Sequence, residues 1–111
     1  MGMSETYRFF PNLEAEVSIP ENGILSRTLY NHEHVKVLIF GFAAGQELSA
    51  HTAPMAASVY FVSGEAKLTL GAEVQDVREN SFAYMPPQLP HGIVAKTPVG
   101  MLLSMYKESR G

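Results

Sequence analysis

From Leu25 onward, short runs rich in Val, Ile, Leu, Phe, Tyr and Thr recur between Gly, Pro and polar turn residues, and little room is left for a helix. This punctuation predicts an antiparallel β-sandwich or barrel. The candidate strands are residues 24–30, 35–43, 58–62, 65–70, 73–77, 82–85, 92–96 and 101–106, a set suited to one closed or nearly closed sheet. Ser63-Gly64 and Gly71-Ala72 supply the glycine that tight hairpin turns need, and residues 78–81 make a polar corner, so a three-strand meander is expected there. Pro86, Pro87 and Pro90 lack the N–H that a sheet ladder requires, so residues 86–90 are predicted to be a loop that delivers the chain to His91.

Before Leu25 the pattern weakens. Residues 13–19, between Pro11 and Pro20, alternate partly and read as an added edge strand, while Tyr7, Phe9 and Phe10 are apolar residues that need cover. An edge strand leaves N–H and C=O groups unpaired, so packing of this arm on a second copy, giving a homodimer, is expected.

Composition narrows the class of protein. A chain of 111 residues with 46% hydrophobic and 17% charged residues is a globular composition with one core. A single domain over residues 1–111 is expected, with a barrel core at about 35–106 and an N-terminal arm at 1–34. The net charge of -3 and the scattered Lys and Arg residues argue against a nucleic-acid partner. The longest strongly apolar stretch, Val35 to Gly45, is too short for a spanning helix, so no membrane partner is expected. Without cysteine there is no disulfide framework and no thiolate, and any metal must bind through His, carboxylate or other oxygen groups. The default compartment is the cytoplasm.

Two segments stand out. One runs from Gly45 through His51, Ala53 and Ala57 to Gly64, and the other from Asn80 through Pro86 and Gln88 to His91. Together they resemble the two motifs of the cupin superfamily, with Gly45, His51 and Gly64 matching the first and Pro86 and His91 the second. The resemblance implies an all-β fold: the antiparallel double-stranded β-helix, or RmlC-like jelly-roll barrel. It also implies a divalent metal, iron, manganese, nickel or zinc, held by three imidazoles and one carboxylate. Here the second His of the pattern falls on Ala53 and its Glu on Ala57, and the glycines of the second motif fall on Asn80 and Gln88. His51 and His91 remain as metal ligands, an incomplete set.

Two neutral imidazoles leave the double charge of an ion uncompensated in a low-dielectric barrel unless another group completes the shell. Glu47 shares a face with His51 if the strand is regular, yet at about 3.3 Å per residue it lies roughly 13 Å away. Tyr84, Gln46 and Gln88 are further oxygen donors near the motifs. His32 and His34, flanking Glu33, sit in a polar connection outside the motif positions and read as surface residues. The inward parity through Ala57, Val59 and Phe61 makes an apolar wall, and with Ala53 and Tyr84 these residues outline a pocket for a small molecule. Met55, Met85, Met101 and Met105 read as adaptable core filler.

Three function classes fit. One is a metal-assisted enzyme with the ion on His51 and His91. Another is a metal-independent isomerase or epimerase of a sugar-like substrate, with a histidine and Tyr84 as acid and base. The third is a ligand-binding or sensor module without metal and without turnover. The expectation carried forward is a barrel-interior small-molecule site, metal-binding through His51 and His91, whose reaction the residues leave open.

Overall fold

The computed structural model describes residues 7–107, so the ends of the expected 1–111 domain lie outside it. A 3₁₀ turn at Leu13–Glu16 precedes nine strands: β1 (Ile24–Asn31), β2 (Val35–Phe42), β3 (Glu47–His51), β4 (Ala57–Ser63), β5 (Glu65–Leu70), β6 (Glu73–Arg78), β7 (Phe82–Met85), β8 (His91–Ala95) and β9 (Val99–Tyr106). They form two antiparallel sheets, one in the order β1-β2-β9-β4-β7 and one in the order β3-β8-β5-β6. The fold is an all-β jelly roll.

Alternation along each strand builds the core. Ala57, Val59 and Phe61 of β4, Ala66 and Leu68 of β5, Ile93 and Ala95 of β8, and Val99 and Met101 of β9 face one another between the sheets, joined by Phe42 and Met85. Their i, i+2 spacing is the period that sends every second side chain to the same face.

Only β1–β2 and β5–β6 are sequential strands that also pair; every other connection between described strands crosses from one sheet to the other. The expected single sheet is therefore two, and the expected meander is only its β5–β6 hairpin. Gly64 marks a crossing: it holds φ at +87°, and a Cβ there would lie 2.0 Å from the Pro98 carbonyl oxygen. The same residue type serves a hairpin and a crossing, which is why spacing alone does not separate them.

The expected edge strand over residues 13–19 is absent as well. Asn12 caps a 3₁₀ turn instead, its side-chain oxygen accepting the Glu14 N–H at 3.1 Å. Beyond the turn the arm lies across the outer face of the five-stranded sheet. A Cβ on Gly41 would lie 1.9 Å from the Ser18 carbonyl oxygen, and one on Gly100 would lie 2.7 Å from the Val17 side chain. Ile39, which alternates outward from Phe40 and Phe42, is thereby left 2% exposed. Arg27 of β1 fastens the arm through an ion pair with Glu16 at 2.6 Å, exposed and so worth little by itself.

Candidate functional site

Strict alternation would put Leu48 and His51 on opposite faces of β3, since they are three residues apart. Leu48 pairs with Ile93 and His51 with His91, so three steps on β3 (48 to 51) match two on β8 (93 to 91), and the register shifts between them. One extra residue in β3 is a β-bulge, and it turns His51 to the same side as Leu48. All four residues line one cavity. Gly92 makes room for the bulge: a Cβ there would lie 2.8 Å from the Ala50 nitrogen and 2.9 Å from the Leu48 carbonyl oxygen.

The two histidines are thus direct cross-strand partners, with ring centroids 4.5 Å apart and planes tilted by 57°. Each ring is held in the same way. His51 Nδ1 lies 2.9 Å from the Ser49 carbonyl oxygen, and His91 Nδ1 lies 2.9 Å from that of Leu89. A carbonyl only accepts, so each Nδ1 donates, and in the neutral imidazole the lone pair then resides on Nε2. This tautomer suits a metal ligand or a hydrogen-bond acceptor.

The proline-rich loop sets the position of His91. Gln88 adopts φ of +69°, and its N–H donates to the Ala53 carbonyl at 2.8 Å, tying the two motif segments together. The Pro90 carbonyl accepts the Gly71 N–H at 2.7 Å, which anchors the residue before His91 to the β5–β6 turn.

Behind the imidazoles lies a cavity of about 150 Å³ lined by Phe40, Leu48, Val59, Leu68, Met85 and Ile93, with Gly92, Met101 and Leu103. Its walls are hydrocarbon and thioether, and among the described residues the titratable side chains that line it are the two imidazoles. Of the residues expected at the pocket, Val59 lines it. Ala57 and Phe61 are buried in the adjoining core, and Ala53 is half-buried outside the lining. Tyr84 is 57% exposed and outside the lining, because β7 alternates so that Met85 faces in. Glu47 does not share a face with His51, since the bulge intervenes. His34 lies 3.8 Å from Glu33, and the His32 ring stacks on Tyr30, both away from the cavity.

The donor set fits part of a metal shell. Two imidazoles in a fixed tautomer are what transition metals accept. Among the described residues, however, no group of three or more His, Cys, Asp or Glu is arranged to hold an ion. The cavity-lining residues that motif spacing did not reveal, chiefly Leu48, Met85 and Met101, are brought in by the bulge and by long-range register, which leave no local pattern.

A family model described as Cupin domain matches residues 38–105. Among solved structures, a conserved protein of unknown function from Streptococcus pyogenes superposes with a TM-score of 0.84 at 31% identity, covering 99% of this chain and 100% of that one. A cupin superfamily protein from Desulfitobacterium hafniense DCB-2 gives 0.82 at 23% identity over 94% of each chain. An RmlC-like cupin from Shewanella frigidimarina NCIMB 400 gives 0.78 at 17% identity, over 96% of this chain and 95% of that one. At those two identities the likeness is one of fold. No curated protein matches the chain.

Proposed function

Since the chain belongs to the cupin family, we propose that it binds a small molecule at the mouth of its barrel with the help of a transition-metal ion held on the Nε2 atoms of His51 and His91. The paired imidazoles carry this reading: they face each other across β3 and β8 at 4.5 Å, each with Nδ1 committed to a carbonyl. An ion with two protein donors keeps open positions, which a donor atom of the ligand fills, and when bound it polarises that atom as a Lewis acid. The protein holds the ion, fixes the tautomer of its two ligands and surrounds the rest of the small molecule with apolar walls. At about 150 Å³ the cavity is below the range of drug-sized sites. A volume of that order takes a single six-membered ring or a short chain.

Calorimetric titration of the purified, chelator-treated chain with Mn²⁺, Fe²⁺, Ni²⁺, Zn²⁺ and copper ions tests the reading. Saturable binding of one ion per chain, lost in His51→Ala and in His91→Ala, is expected. Binding indifferent to both substitutions would sink it.

A second reading, a binding module without metal, draws support from the lining, in which no described residue is a carboxylate. The imidazoles then serve as hydrogen-bond partners for a polar head group. A ligand that raises the melting temperature equally with and without EDTA, and is recovered unchanged, distinguishes it.

A further inference from the structure

Where the cupin pattern places a carboxylate this chain has Ala57, and both cross-strand partners of Ala57 are methionines, Met85 on β7 and Met105 on β9. Met85, 2% exposed, lines the cavity together with His51 and His91, and so does Met101. Among the described residues, the lining of this cavity therefore includes two imidazoles and two thioethers and no acidic side chain.

That composition bears on which ion can stay there. All four donors are neutral, so a bound cation keeps its full charge against apolar walls, with the exposed His51 on the solvent side of the site. The Born cost of burying an ion grows with the square of its charge, so a singly charged ion bears roughly a quarter of the cost of a doubly charged one. Thioether sulfur is a soft donor that favours copper(I), and imidazole accepts copper as well. Charge and softness thus select the same ion, whereas divalent manganese, iron, nickel or zinc would find the two imidazoles but not the carboxylate that offsets their second charge.

We infer that the ion preferred at this site is copper(I), held by His51, His91 and the sulfur of Met85, with Met101 as the second sulfur in the same cavity. The inference rests on the reading of the two histidines as metal ligands, and it changes the ion from the one the family pattern implies. It involves binding alone, with no change of oxidation state in the site.

The test is anaerobic competition between the full chain and the copper(I) chelator bicinchoninate, with Zn²⁺ titrated in parallel. The wild type is expected to bind one copper(I) more than about tenfold tighter than Zn²⁺. Met85→Leu, a volume-conserving change, is expected to weaken copper(I) by about tenfold or more and to leave Zn²⁺ unchanged. X-ray absorption of the copper-loaded wild type should show sulfur scattering that diminishes in Met85→Leu. The absorption spectrum and the Met101→Leu variant keep the test decisive if Met85→Leu does not fold. Copper(I) binding that depends on the histidines but is equal in wild type, Met85→Leu and Met101→Leu would make the methionines packing only and overturn the inference. Tighter binding of Zn²⁺ than of copper(I) would also overturn it, while leaving the two-histidine metal site standing. A chain that binds no ion through its histidines overturns both.

Discussion

Gly92 and Ala50 meet backbone to backbone across the two strands that carry the histidines, so closely that a Cβ on Gly92 would lie 2.8 Å from the Ala50 nitrogen. The β3 bulge needs that approach, and the bulge is what turns His51 toward His91. Gly92→Ala should therefore separate the rings as well as destabilise the chain, by about 1–3 kcal/mol as for other overpacked sites. Nuclear Overhauser contacts between ring protons of His51 and His91 should be present in the wild type and lost in the variant. Gly45→Ala is the control: its φ of +85° makes it costly, yet an added Cβ meets nothing within 4 Å, so the ring contacts should survive.

Among the described residues, the non-glycine positions with positive φ are Asn80 at 74° and Gln88 at 69°, the two places where the cupin pattern has glycine. The backbone has kept the left-handed turns although the glycines are gone. Asn80 is compensated by the Tyr60 hydroxyl, which donates to its side-chain oxygen, and asparagine tolerates this conformation. Gln88 has no such local relief in its side chain type, so Gln88→Gly should stabilise the fold by up to about 1 kcal/mol. Thermal unfolding should show Tm rising by a few degrees. Asn80→Gly should gain less, since it gives up the Tyr60 hydrogen bond.

The contrast between Met85 and Tyr84 shows where legibility ends. The strand positions are readable because alternating apolar residues are a local signal, and β5 and β7 begin and end where that signal does. The strand Phe82–Met85, however, has large apolar groups on both of its faces, so composition does not say whether Tyr84 or Met85 turns inward, and the sheet order decides it. β3 leaves no strand signal in the sequence because Glu47–His51 contains one large apolar residue, Leu48, and a bulge breaks its alternation. The histidine pair was legible through its motif positions. The methionines around Ala57 were not, because their proximity comes from pairing between strands distant in sequence.

On the outer side of the four-stranded sheet, Lys67 and Asp76 are direct partners, with Nζ and Oδ1 at 2.8 Å. The hydrogen bond from Lys67, and then its charge, hold the Asp76 carboxyl below its ordinary value of 3.8. A folded-state value below the unfolded one means that the pair contributes stability above the unfolded value and loses it as pH falls through the folded value. Both groups are exposed, so the contribution is small and weakens with salt. In Lys67→Met, titration of the Asp76 carboxyl by NMR should shift upward toward 3.8, and the acid limb of the stability curve should flatten.

Restoring the missing ligands separates the influence of the barrel from that of its donors. Ala57 is 7% exposed, so the double variant Ala53→His, Ala57→Glu places a carboxylate in a nearly dry position beside Met85 and Met105. Without metal that carboxylate lacks a partner, and an effective penalty of several kcal/mol should lower Tm below the wild type. Added Mn²⁺ or Zn²⁺ should reverse the loss, because an ion bound only by the folded chain stabilises it by about 2.7 kcal/mol at one hundred times Kd. The wild type should respond far less to the same ions. Thermal melts of both proteins across a metal titration check this. Equal responses would mean that the donor set does not govern which ion the barrel accepts, and the charge argument built on Ala57 would lose its basis.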